Sequence, residues 1–203
     1  MGGWTQHSGK AVLLPLDNVD TDQLIPARFM STPRSEGYGK YLLHDLRHDA
    51  EGAAKPEFPL NAHEDASVLV AGANFGSGSS REAAVYALVD AGIRVVIATS
   101  FGDIFASNAV NNGLLPARID PDAAEELAGA LGDQPADALI DLDSRQITLA
   151  GTTLSFALQD NWRTKLINGW DDIDLTLEHA EAIAAYRNKR HSHAAWAFPA
   201  AAD

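Results

Sequence analysis

The stretch Asn74-Phe75-Gly76-Ser77-Gly78-Ser79-Ser80-Arg81-Glu82 gathers three hydroxyls, a guanidinium and two glycines within nine residues. Gly76 and Gly78 permit positive φ and leave backbone amides uncovered, so an anion can approach the start of a following helix. Arg81 falls in that helix's first turn, where a guanidinium can fork onto a carboxylate. The spacing of Ser79 and Glu82 predicts a capping box. Together these residues describe a site for an anionic oxygen substrate, with Ser79, Ser80, Arg81 and Gly78 as candidates. A purely structural reading assigns Ser79 to capping, Ser77 and Ser80 to the turn, and Arg81 to the surface. Two known anion loops do not fit. No Lys follows the glycines as a P-loop requires, and the third glycine of a dinucleotide fingerprint falls on Arg81.

The elements that must hold this bend are readable on both sides. Ser67–Ala71 is a short apolar strand, and Ala83–Ala91 is an alanine- and leucine-rich helix without Gly or Pro. Ala11–Leu14 reads as a first strand, followed by an Asx-rich loop over Asp17–Pro26. Half of a calcium loop is present there, without its glycine and terminal glutamate. Arg94–Ala98 is a further strand and Asp103–Asn112 a short helix closed by Gly113. Asp120 is placed to cap a helix over Pro121–Leu131. Short strands are predicted at Ala138–Leu142, Gln146–Leu149 and Thr153–Ala157, and one helix over Asp174–Lys189. Repeated strand–turn–helix units define an α/β class.

At 203 residues the chain is sized for one buried core, read as a single domain over 1–203 with a tail that frays from about 190. Residues 27–66 form the least core-like stretch, an excursion of the kind that carries specificity, with a helix predicted near Tyr38–Arg47. His44 and His48 lie one helical turn apart within it, without a third metal ligand in register. The absence of cysteine excludes disulfides and thiolate ligation of an iron–sulfur cluster by this chain. A net charge of −13 disfavours nucleic acid and anionic membranes. No apolar run approaches the ~20 residues of a membrane span, and no signal peptide is evident, which points to a cytoplasmic location.

Four ordered segments carry a family resemblance. Gly76-Ser77-Gly78-Ser79-Ser80-Arg81-Glu82 resembles the signature of the small swivelling domain of the aconitase family. Asn18–Pro26 is similar to that family's Asp-Thr-Asp-Gln-Ile-Ile-Pro motif, and Ser100–Pro116 to its third. Leu166–Leu177 resembles the tail of bacterial isopropylmalate dehydratase small subunits.

The resemblance implies a three-layer β/β/α swivelling domain, working as the small subunit of a two-chain hydro-lyase of leucine biosynthesis. It implies a partner large subunit that bears the [4Fe-4S] cluster, no cofactor or metal on this chain, and a small hydroxy-dicarboxylate substrate. In that family the iron binds the leaving hydroxyl as a Lewis acid while a serine takes the carbon-bound proton. Matched by position, Ser79 is the base, Arg81 holds a carboxylate and stabilises the serine oxyanion, and Ser80 adds a hydrogen bond. The segment Arg28-Phe29-Met30-Ser31-Thr32-Pro33-Arg34 aligns with the loop that reads the substrate's side group. Phe29 and Met30 either line an apolar pocket or belong to the core, and either Arg28 or Arg34 is available for a second carboxylate. Two departures stand out: Ala83 replaces a usual histidine, and Ser77 replaces a frequent cysteine. They leave open a related hydro-lyase for another malate- or citrate-like acid, and a non-catalytic regulatory subunit.

Overall fold

The computed structural model describes residues 2–198, and every structural statement below concerns these residues. In chain order the elements are β1 Gln6–Leu14, α1 Thr21–Leu24, α2 His44–Arg47, α3 Pro59–Ala62, β2 Ala66–Ala71, α4 Glu82–Asp90, β3 Val95–Ala98, α5 Asp103–Asn111 and β4 Leu115–Arg118. They continue with α6 Pro121–Leu131, β5 Ala136–Asp141, β6 Gln146–Leu149, β7 Thr152–Ser155, α7 Asp160–Asn168, α8 Asp172–Leu177 and α9 Ala180–His193.

The strands form one mixed sheet in the order β4-β3-β2-β1-β5-β6-β7. β1 to β4 run parallel, whereas β5, β6 and β7 are antiparallel. β1 belongs to both halves. Its Gln6–Ala11 segment pairs with β5 and its Lys10–Leu14 segment with β2, with a register irregularity at Lys10/Ala11. Such an irregularity bends a strand, and here it lets the antiparallel half curl over the parallel one.

The consequence is visible in how alternate residues sort. Leu69, Val96 and Ala98 join Val85 and Leu88 of α4 and Phe105 of α5 in one core. Val68, Val70, Val95 and Ile97 face the other way, onto Ile140 and Ile147 of the curled half and Leu127 of α6. Helices therefore cover one face of the parallel strands, and the curled half of the sheet, flanked by α6 and α7, covers the opposite face, in keeping with the α/β class and the β/β/α layering expected. Burial on both faces explains why β2 and β3 are near-continuous apolar runs.

Several predicted elements differ from those found. Pro116 hides β4 from a sequence reading, since a proline is tolerated in a strand at a sheet edge; β4 is that edge. α7 is not predicted from sequence. The helix expected near Tyr38–Arg47 is broken at Leu43, whose φ of 50° is left-handed, into a 3-10 turn at Gly39–Tyr41 and the short α2. The excursion 27–66 is also more core-like than expected, because Tyr38, Leu42, Leu43 and Leu60 are buried in the first cluster. The helix expected over Asp174–Lys189 is two helices, and α9 runs to His193, inside the segment expected to fray. The rest of that tail, from 199 to 203, lies outside the described residues. Asp120 and Pro121 take the N-cap and first helical positions of α6, although the Asp120 side chain makes no capping bond.

A partly buried contact between β1 and β2 gives the fold a pH dependence. His7 Nε2 lies 2.8 Å from Ser67 Oγ, and burial, aided by Arg94, pushes the imidazole pKa below its ordinary 6.5. Just below pH 6.5 the unfolded chain therefore binds the proton more readily than the folded one. The His7 contribution is present above 6.5 and is lost as pH falls. Urea midpoints are expected to drop between pH 7 and 5.5, and the drop should be smaller in His7→Gln. Equal slopes would remove His7 from the account.

Candidate active site

The three loops that leave the carboxyl ends of β1, β2 and β3 meet, which is where open α/β sheets place their ligands. They hold the three N-terminal segments singled out by sequence. Gly76 N donates to Val19 O at 2.7 Å and Thr21 N to Ser77 O at 2.9 Å, joining the first loop to the bend. Phe75 N donates to Ser100 O at 3.1 Å and Gly102 N to Phe75 O at 2.9 Å, joining the bend to the third loop. Beneath it Phe75 packs edge-on to Phe101 and Phe105. A Cβ on Gly76 would sit 2.1 Å from the Phe105 ring, at a φ of +72°. Gly76→Ala is accordingly expected to cost roughly 2–4 kcal/mol, from overpacking and left-handed strain combined. A loss under about 1 kcal/mol in urea unfolding would contradict this close packing.

On this support Gly78, Ser79 and Ser80 are exposed and Arg81 is partly buried. The capping box expected from Ser79 and Glu82 does not form. Arg81 itself takes the N-cap position of α4 with no side-chain cap, because a tight turn from Arg81 N to Ser79 O, at 2.8 Å, places Ser79 outside the helix. Glu82 instead accepts from Asn112 Nδ2 at 3.0 Å. The Ser79 hydroxyl is therefore not engaged as a cap. It lies 3.3 Å from Thr21 Oγ1, which also reaches the Ser79 carbonyl at 3.2 Å.

Arg81 forms an ion pair with Asp22, whose side chain is 56% exposed against 28% for Arg81. Thr21 and Asp22 thus join the candidate site, although the sequence marks them only as part of a motif and not as site residues. Their signal is the Asp20-Thr21-Asp22-Gln23 segment itself. The carboxylates that suggest half a calcium loop are each engaged otherwise: Asp20 caps α1 by accepting from Gln23 N at 2.7 Å, and Asp17 accepts from Ala73 N at 2.6 Å.

The candidate specificity segment is tied down by contacts of its own. Arg28 lies over the Phe29 ring and donates to Asp45 at 2.9 Å, and this guanidinium holds the Asp45 carboxyl at about 2. Arg34 forks onto both oxygens of Asp90, at 2.7 and 2.8 Å, and covers the Tyr86 ring. Asp90 ends α4 whereas Arg81 begins it, so Arg34 is anchored at the far end of that helix from the bend. Phe29 stacks on Tyr41 with centroids 4.3 Å apart, and both Phe29 and Met30 pack against the first core cluster. Ser31 Oγ donates to Arg28 O at 3.3 Å, and the Thr32 carbonyl accepts from the Tyr38 hydroxyl. The rings of His44 and His48 stack at 4.3 Å, and His48 Nδ1 donates to the His44 carbonyl. Ala83 packs against the first core cluster, and nothing in the structure explains its departure from histidine.

An exposed hydroxyl and a partly buried guanidinium stand together at the carboxyl ends of parallel strands, in an α/β domain whose sheet curls back on itself. Residues 1–122 match the family model of the aconitase C-terminal domain, and residues 172–200 match that of the C-terminal domain of the 3-isopropylmalate dehydratase small subunit. The chain is 45% identical to the 3-isopropylmalate dehydratase small subunit of Shouchella clausii, covering 91% of this chain and 94% of that one. It is 44% identical to the one from Rhodospirillum centenum, over 97% and 99% of the two chains. A solved 3-isopropylmalate dehydratase from Methanocaldococcus jannaschii superposes with a TM-score of 0.64 at 29% identity, over 90% of this chain and 99% of that one. The chain belongs to the 3-isopropylmalate dehydratase small-subunit family.

Proposed function

We propose that this chain is the small, catalytic-serine subunit of a two-chain isopropylmalate dehydratase, a cytoplasmic enzyme that moves the hydroxyl of isopropylmalate by dehydration and rehydration in leucine biosynthesis. The observation that carries the reading is the Ser79 hydroxyl, uncapped and exposed one residue from the exposed Ser80 and two from Arg81. In this reading Ser79 Oγ takes the proton from the substrate carbon and returns it in the reverse step. Arg81 exchanges the Asp22 carboxylate for one of the substrate's, and Ser80 supplies a hydrogen bond. Gly78 leaves room for the substrate to approach the turn. Residues 28–34 read the side group; Arg28 would have to give up Asp45 and Arg34 to give up Asp90 for a second carboxylate, and Arg34 is held at the far end of α4 from the bend.

Magnitudes require a partner. A helix N-terminus supplies at most ~2 kcal/mol, or ~1.5 pKa units at ~1.36 kcal/mol each. An adjacent guanidinium adds ~1–3 units by analogy with carboxylates. A serine hydroxyl exposed to water stays protonated under those influences alone. Closure by a second protein over the bend would remove water and strengthen both effects. This chain contains no cysteine, so its side chains do not fit an iron–sulfur cluster, which the reading assigns to the large subunit. The isolated chain is expected to be inactive.

No helix among the described residues is long and apolar enough to cross a membrane, which accords with the proposed location. The related hydro-lyase and the regulatory subunit are not favoured, given relatives bearing the isopropylmalate name at more than 40% identity and the retained Ser79-Ser80-Arg81. A substrate panel on the assembled enzyme tests the choice. Isopropylmalate should have the highest kcat/KM, and a citrate- or methylmalate-like acid in that place would redirect the reading to the related hydro-lyase.

A further inference from the structure

Five of the eight exposed large apolar side chains among the described residues lie in one segment: Ile173, Leu177, Ile183, Tyr186 and Trp196. They sit on α8 and α9 and just beyond, and neither helix has a buried residue. A 14-residue helix without tertiary burial is marginal in water. Charge is divided along the segment: α8 carries Asp172 and Asp174 and is flanked by Asp171 and Glu178, whereas α9 carries Arg187, Lys189 and Arg190 against the single acid Glu181, in a chain of net charge −13. An apolar surface with a basic patch on α9 suits a partner that offers an apolar patch with acidic side chains opposite α9.

The base of the segment is fixed to the rim of the site. Asp171 caps α8 by accepting from Ile173 N and Asp174 N at 2.7 and 2.9 Å. Next to it Asp172 accepts from Asn111 Nδ2 at 3.0 Å and pairs with the buried Lys165, whose Nζ donates to Asn111 Oδ1 at 2.9 Å. The neighbour of Asn111, Asn112, holds Glu82, and Glu82 follows Arg81. A protein that covers Ser79–Arg81 therefore meets this rim and α8 beyond it.

We propose that α8, α9 and Trp196 form the docking surface by which this chain holds its large subunit. The inference rests on the functional reading above for the identity of that partner. A split enzyme must supply by surface contact the attachment that a continuous chain would supply covalently. The family model for the C-terminal domain of the small subunit matches the chain from residue 172, where this exposed segment begins.

The test titrates the full-length chain against the cluster-loaded large subunit from the same genome, by sedimentation velocity and by activity. Ile173→Asp with Leu177→Asp, and separately Arg187→Glu with Arg190→Glu, should each weaken the complex about tenfold or more, as interface anchors do. Because these side chains are exposed, thermal melting of the free chain and kcat at saturating large subunit should stay as in wild type. Unchanged Kd in both variants overturns the proposal, as does loss of self-association with an unaltered heterocomplex, which would make the surface a contact between copies of this chain. Wild-type complex formation without isopropylmalate turnover would overturn the activity and leave the docking surface standing. Absence of any wild-type complex would overturn both.

Discussion

Ser79→Ala, assembled with the large subunit, should turn over isopropylmalate about 10²–10⁴-fold more slowly than wild type, the usual contribution of a general base. The structure makes this substitution unusually clean. Had Ser79 capped α4, its loss would also cost about 1 kcal/mol of stability, but Arg81 occupies the cap position and the serine side chain makes no cap bond. The urea midpoint and the affinity for the large subunit should therefore match wild type. The substitution removes the 3.3 Å contact with Thr21 Oγ1, and Thr21 keeps the residue 79 carbonyl as a partner. Turnover within about threefold of wild type would remove Ser79 from catalysis. A large stability loss would restore the capping interpretation instead.

Arg81 carries the second large effect. Removing one member of a buried, hydrogen-bonded charge pair costs about 2–5 kcal/mol, or roughly 30- to several-thousand-fold at ~1.36 kcal/mol per decade. Arg81→Ala should lose that much in kcat/KM. Arg81→Lys should recover only part of it, since an ammonium cannot fork onto a carboxylate. Loss confined to KM would assign Arg81 to substrate binding alone, and loss in kcat as well would place it beside the developing charge. Folding should change little, because the Asp22 partner is largely exposed and such pairs contribute ~0–1 kcal/mol. A wild-type kcat/KM for Arg81→Ala would exclude the guanidinium from the site.

The bend is legible in sequence because its chemistry is local: glycines, hydroxyls and an arginine occur within a few residues, between an apolar strand and an alanine-rich helix. What is not legible depends on contacts distant in sequence. The capping box has the right spacing, but the hydrogen bonds to Val19 and from Thr21 hold the turn so that the helix starts at Arg81 and Glu82 turns to Asn112. Asp22 becomes Arg81's partner only when the loop after β1 meets the loop after β2. Pro116 argues locally against a strand that the sheet edge tolerates. Arg34 and Arg28 are equivalent in sequence, and only the positions of Asp90 and Asp45 separate them. The two-sided burial of β2 and β3, by contrast, is written in their composition.

We propose a division of labour, in which this chain supplies the base and a second chain supplies closure and the cluster. The most direct measurement is anaerobic isomerisation of isopropylmalate by this chain, by the cluster-bearing large subunit from the same genome, and by their mixture. Turnover should appear in the mixture and in neither component alone. Turnover by this chain alone and free of cluster, or an intact complex with a full cluster that leaves isopropylmalate untouched, would contradict the account.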